Sequence, residues 1–140
     1  DLGITISADL SYIAHINNIV AKALQRSSTL FRGFASRNLL LMRKAFVTYI
    51  RPILEYNSIL WNPNLVYLIN LIESVQRKFT KRITSLSSLP YSSRLNILNL
   101  QSLELRRLLI DLTNYFKILN GMSPLTHTDY FFNLQPNNNN

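Results

Sequence analysis

Between residues 65 and 83 apolar side chains return every three or four positions: Leu65, Leu68, Ile72, Val75, Phe79 and Ile83. That period matches the 100° step of an α-helix and not the two-residue alternation of a strand, so the stretch reads as a helix with one buried face. Arg77, Lys78, Lys81 and Arg82 share its broad outer face. Such a helix gains most of its stability by packing its stripe on something else, so the rest of the chain must supply partners.

The same period recurs on both sides. Over residues 11–31, Ile13, Ile16, Val20, Ala23, Leu24 and Phe31 fall on one face, with His15, Asn18, Lys22 and Arg26 on the other. That pattern makes His15 a solvated surface histidine. Gly33 predicts a break, with Ser36 or Asn38 as the next N-cap. Residues 39–56 carry a wider stripe of Leu39, Met42, Phe46, Tyr49, Ile50 and Ile53, opposite Lys44, Thr48, Arg51 and Glu55. Pro52 lies inside that pattern and must kink or divide the helix. Trp61-Asn62-Pro63-Asn64 reads as a turn, and residues 85–93 as a Ser-rich linker followed by a short apolar piece, Leu95, Leu98 and Leu100. A last helix is predicted over residues 102–120, with Leu105, Leu108, Leu109, Leu112, Phe116 and Leu119 inward and Gly121 as its C-cap. The pattern dissolves after Pro124, and Asn137 to Asn140 predict a disordered end. At the other end, Leu2-Gly3-Ile4-Thr5-Ile6 alternates like a strand that has lost its sheet. The expected fold is mostly α, an irregular helical bundle preceded by one short residual β-strand.

Composition narrows the function. Of 140 residues 47% are hydrophobic and 16% charged, enough to build a core. The absence of Cys excludes disulfides, thiolate zinc sites and cysteine nucleophiles. His15 and His127 lie on different segments, and the seven acids include no adjacent pair and no Asp-x-Asp, so hydrolytic and two-metal catalysis find no residue set. The longest uncharged stretch, residues 56–72, contains too many Asn and Ser to span a bilayer. The sequence opens on Asp1 with no charged-then-apolar stretch visible, and the expectation is that further residues lie upstream.

The positive charge is segregated. The formal net charge is +8, and Lys22, Arg26, Arg32, Arg37, Arg43, Lys44 and Arg51 follow one another with no acid among them. Arg77, Lys78, Lys81, Arg82 and Arg94 form a second such run. A face of this kind suits a polyanion, because each phosphate contact releases condensed counterions; a solvated basic helix surface accounts for the same charges. Arg43 and Gln76 fall toward apolar faces, where each is expected to organise packing, the arginine by snorkelling or by meeting an acid. Trp61 and Tyr56 read as a packed hinge in preference to a base-stacking pair.

Several of these residues resemble a known family. Leu2-Gly3-Ile4 with Asp9-Leu10-Ser11 and His15-Ile16 come first, then Arg51-Pro52-Ile53-Leu54-Glu55-Tyr56 with Trp61. Val75-Gln76-Arg77-Lys78-Phe79-Thr80-Lys81 follows, and last Ser102-Leu103-Glu104-Leu105-Arg106-Arg107 with Tyr115-Phe116-Lys117-Ile118-Leu119-Asn120-Gly121. In this order and spacing they resemble the C-terminal part of the reverse transcriptase of non-LTR (LINE-type, jockey-like) retrotransposons, over about residues 1–122. The resemblance implies that residues 1–8 are the last palm strand, 9–86 a thumb-like helical subdomain and 87–122 a helical connection, with 123–140 a disordered tail. It implies a fragment of an RNA-directed DNA polymerase whose helices hold the template–primer duplex of RNA and DNA. The phosphate contacts would fall to Lys22, Arg26, Arg77, Lys78, Lys81 and Arg82, with Arg43 and Lys44 beside them. The family's paired-aspartate motif is absent, so this chain alone is expected to be inactive and to hold no cofactor. The two divalent ions of the parent enzyme, Mg by expectation, belong to a palm that this chain lacks. Its partners would be that palm and the fingers, with no membrane involved. The other reading is a non-catalytic helical interaction module, or a decayed relic with weak, non-specific nucleic-acid binding. Either way, a chain this apolar is expected to be marginally stable or to self-associate in isolation.

Overall fold

A computed structural model describes residues 3–8, 10–36 and 38–123. The chain is a mostly α, irregular helical bundle. Its α-helices among the described residues are α1 (Ile13–Gly33), α2 (Leu39–Ala45), α3 (Arg51–Glu55), α4 (Ser58–Trp61), α5 (Val66–Lys81), α6 (Tyr91–Leu98) and α7 (Leu103–Leu119). The predicted disorder beyond residue 123 lies outside the described residues.

Helix α5 is the centre of the bundle, packed against α1 on one side and α6 and α7 on others. Its stripe is buried as the period requires: Leu68, Ile72, Val75 and Phe79 join Ile16, Val20, Ala23 and Phe31 of α1 in one core. The Phe79 ring lies 5.0 Å from the rings of both Phe31 and Phe46, in tilted contacts favoured by aromatic quadrupoles. Asn38 caps α2, its Oδ1 accepting the amides of Leu40 and Leu41.

The helix over residues 39–56, expected to be kinked or divided at Pro52, is interrupted by a π-helical turn, Phe46–Ile50, directly before Pro52 in the first turn of α3. A proline tolerates that place because it has no N–H to lose there. The wider turn also changes which residues face inward. Met42, Phe46, Ile50 and Leu54, spaced strictly by four, are all fully buried, while Tyr49 is turned out to solvent. A uniform 100° step put Tyr49 inside; an extra residue in one turn rotates everything after it.

Three further expectations are corrected. Residues 4–7 form no strand: the Thr5 amide donates to the His15 Nδ1 at 3.3 Å, and no second strand exists among the described residues to pair with. His15 is buried, not solvated, its ring 5.4 Å from that of Trp61. Thr5 of the segment before α1 and Trp61 of α4 lie against this side of the first helical turn, which periodicity alone does not register. The third correction concerns α7. Leu105, Leu108, Leu109, Leu112, Phe116 and Leu119 are exposed, and the helix instead buries Leu103, Arg107 and Ile118. The reason is electrostatic anchoring. Glu73 of α5 accepts the amides of Leu103 and Glu104 at the start of α7, and Arg107 Nε donates to Asn62 Oδ1 at 3.0 Å. Arg106 holds Glu55 of α3 through two nitrogens, the second at 2.9 Å. Satisfying these groups fixes the roll of the helix and leaves its leucines outward.

The ends of α6 and α7 follow from their residues. Asn99 and Gly121 take left-handed φ values of 48° and 65°. Each closes a Schellman motif, Leu100 donating to the Leu95 carbonyl and Met122 to the Lys117 carbonyl.

Burial with a neutral ring suits His15, and it lowers the imidazole below its ordinary 6.5, first through desolvation and then through the nearby Lys22 charge. Above pH 6.5 the histidine is neutral in both folded and unfolded chains. As pH falls below 6.5 the unfolded chain takes the proton first, so stability drops until pH passes the folded value. The melting temperature is therefore expected to fall between pH 7.5 and pH 5 in a thermal scan. The His15→Gln variant should lose that part of the pH dependence; a variant with an unchanged pH profile would show that His15 does not supply it.

Candidate nucleic-acid interface

Helix α1 carries Lys22, Arg26 and Arg32 and no acidic residue. Its two flanks are the walls of two grooves. On one flank Leu24, Ser27 and Ser28 face Lys78 and Lys81 of α5 and Arg82 just after it across an open cavity of about 400 Å³. On the other, Lys22, Gln25, Arg26 and Thr29 face Ile53 of α3 across a second cavity, also about 400 Å³. The first groove has an apolar and hydroxyl floor with a basic rim. The second is more polar. Together they bring Lys22, Arg26, Lys78, Lys81 and Arg82 to the borders of one helix.

Local geometry fixes one of these cations and leaves the others free to reach. The Arg82 guanidinium sits 4.1 Å from the centre of the Phe31 ring, a cation–π contact that holds it at the groove edge. Lys22, Arg26, Lys78 and Lys81 are exposed. The remaining sequence-nominated residues are elsewhere. Arg77 turns toward α6, lying over the Tyr91 ring at 5.0 Å, while its carbonyl accepts from Arg94 at 3.0 Å. Arg43 borders a different groove with Leu39, Leu40, Ile97 and Leu98, and its guanidinium Nε is buried there without a hydrogen-bond partner, so it does not snorkel to water as expected. Lys44 is exposed on α2, outside both α1 grooves.

The described carboxylates do not contribute to this surface. Glu55 is held by Arg106 and Arg51, Glu73 by Tyr91 and the α7 amides, and Asp111 by Asn62, while Glu104 is exposed on α7, outside both grooves. Among the described residues no three His, Asp or Glu side chains gather in a metal-binding group. The described carboxylates do not converge, as the ligands of a two-ion centre must. No helix among the described residues is long and apolar enough to cross a membrane.

Trp61 is fully buried, its Nε1 donating to the Tyr56 carbonyl at 2.9 Å, so it forms the hinge between α4 and the loop before α5 and offers no face to a base. Gln76 is likewise interior, its amide donating to the Tyr91 hydroxyl at 3.0 Å and the Gln101 carbonyl at 2.9 Å. Both are packing residues. Sequence reasoning missed Ser27 and Ser28, whose place in the groove has no signal short of the helix pairing itself.

Set beside known proteins, the chain is 31% identical over 124 residues to an uncharacterized protein of Caenorhabditis elegans. That alignment takes in 86% of this chain and 63% of the relative's length. No protein-family model matches the chain, and no solved structure matches it.

Proposed function

We propose that this chain is a duplex-holding, thumb-like part of an RNA-directed DNA polymerase of the non-LTR retrotransposon type, lacking the catalytic palm. The observation that carries this reading is the acid-free basic border on both flanks of α1, made by Lys22 and Arg26 on one side and Lys78, Lys81 and Arg82 on the other. Long flexible side chains with no opposing carboxylate suit contact with successive phosphates, which positions a duplex without reading its bases. The resemblance in sequence supports the polymerase assignment, and the helical bundle is compatible with it. In the parent enzyme the template–primer duplex would be the ligand, with palm and fingers as neighbouring domains.

The test is equilibrium binding of a labelled RNA–DNA hybrid to the full chain between 50 and 200 mM salt. Affinity is expected to fall steeply with salt. Lys78→Ala with Arg82→Ala should weaken binding by about tenfold and reduce the slope of log K against log salt by about 2. Lys44→Ala, outside the grooves, should change affinity less than twofold. Equal loss in both variants, or salt-independent binding, would remove the α1 grooves as the duplex contact.

A further inference from the structure

The outward face of α7 is built on a seven-residue repeat. Leu105, Leu112 and Leu119 form one column, Leu108 and Tyr115 a second, Leu109 and Phe116 a third. On a helix these columns lie side by side within about a third of the circumference, the arrangement by which helices bury a shared seam. All seven side chains are between 38% and 55% exposed. Exposed leucines occur singly on any surface, but a register of seven along one helix is a continuous apolar patch.

We propose that this face is a self-association surface, on which α7 pairs antiparallel with α7 of a second copy about a two-fold axis at Leu112. Three observations select a second copy as the occupant. First, the seam reflects onto itself about Leu112. In antiparallel pairing Leu105 stands opposite Leu119 of the second copy and Leu112 opposite itself, while Leu108 meets Tyr115 on one flank of the seam and Leu109 meets Phe116 on the other. Every apolar side chain then meets an apolar side chain, as a closed isologous interface demands. Second, no charged residue lies in the seam, and the basic grooves belong to α1, α3 and α5, so two chains of net charge +8 do not place like charges face to face. Third, the area suffices. Half-exposed leucine and aromatic side chains offer roughly 70–90 Å² each, hence about 550 Å² per copy and about 1,100 Å² for the pair, just above the ~1,000 Å² expected of a specific interface.

The interface is small and the copies carry like net charge, so the pair is expected to be weak, with Kd on the order of tens of micromolar. Salt should tighten it by screening, the opposite of its effect on duplex binding. Sedimentation of the full chain from 10 to 300 µM is expected to show a monomer–dimer equilibrium shifting toward dimer with salt. Leu112→Glu should leave only monomer while circular dichroism and melting stay unchanged, because Leu112 is 55% exposed in the single chain. Since the chain has no Cys, single introduced cysteines report the geometry cleanly. Under mild oxidation Leu112→Cys should cross-link to itself, and Leu105→Cys should cross-link to Leu119→Cys far faster than to itself. Rapid self-linkage by Leu105→Cys would mean parallel pairing and overturn the proposal. A wild-type monomer at 300 µM would overturn it as well, as would a monomer that co-sediments with phosphatidylcholine vesicles through this face.

Discussion

Replacing Phe79 by alanine is expected to cost about 3–5 kcal/mol, the range for deleting a fully buried aromatic from a core that cannot collapse around the gap. Phe79 is 1% exposed and is the ring through which Phe31 of α1 and Phe46 of the π-helical turn meet. Removing it withdraws one aromatic contact on each side and leaves a cavity bounded by three separate elements. Against a typical total of about 5–15 kcal/mol for a domain, this is a large share, and a melting point lower by roughly 10–20 °C should accompany it. Urea unfolding followed by tryptophan fluorescence measures it directly, since the single Trp61 lies in the same core. Phe79→Leu keeps most of the volume and should lose only about 1–1.5 kcal/mol. Leu108→Ala on the exposed face of α7 should change stability by less than about 0.5 kcal/mol at concentrations where the chain is monomeric. Comparable losses at Leu108 and Phe79 would mean that the bundle is built around the other face of α7.

That contrast also marks how far periodicity reads this fold. For α1 and α5 the apolar stripes and the core coincide except at their starts, where Ile13 and Leu65 are exposed, because along the rest of each helix the stripe meets apolar neighbours. Over residues 39–56 the pattern identifies a helix interrupted near Pro52, but the inserted turn before the proline exchanges Tyr49 for Leu54 in the core. Local backbone geometry of that kind has no hydrophobic signature. In α7 the pattern points the wrong way. Its strongest apolar face is outward, and its orientation is fixed by Glu73, Asn62 and Glu55, whose separations of 30 to 51 residues from their α7 partners no local window detects.

The basic residues were legible individually and not as a surface. Charge segregation picks out twelve of them and the resemblance eight of these; only helix pairing brings Lys22, Arg26, Lys78, Lys81 and Arg82 to the flanks of α1 while Arg77 turns onto Tyr91. Arg77 shows the physical reason most clearly. On a helical wheel it sits among the exposed cations, yet α6 presents an aromatic ring one turn away, and a cation with an available π face settles there.

The polar anchor of α7 leads to the second large effect, at Glu73. This buried carboxylate accepts from the Tyr91 hydroxyl with one oxygen and from the Leu103 and Glu104 amides with the other. Ser102 Oγ takes the Leu105 amide, so the first three amides of α7 are all satisfied, two of them by a charge placed where the helix dipole favours an anion. Burial first, and then the same carboxylate, push the Tyr91 phenol well above its ordinary range, so Tyr91 stays a donor at neutral pH. Glu73→Ala strands three donors, the Leu103 amide fully buried and the other two partly, and withdraws the charge opposite the buried Arg107, an expected loss of about 3 kcal/mol. Glu73→Gln retains an acceptor for the α7 amides and should lose about 1 kcal/mol. Because the anchor joins α5 to α6 and α7 and touches neither α1 nor α2, the damage should be local. Hydrogen exchange on Glu73→Ala should show the amides of α6 and α7 losing protection while those of α1 and α5 keep theirs. Uniform loss across the chain would instead make the bundle one cooperative unit, with α7 as integral to it as α5.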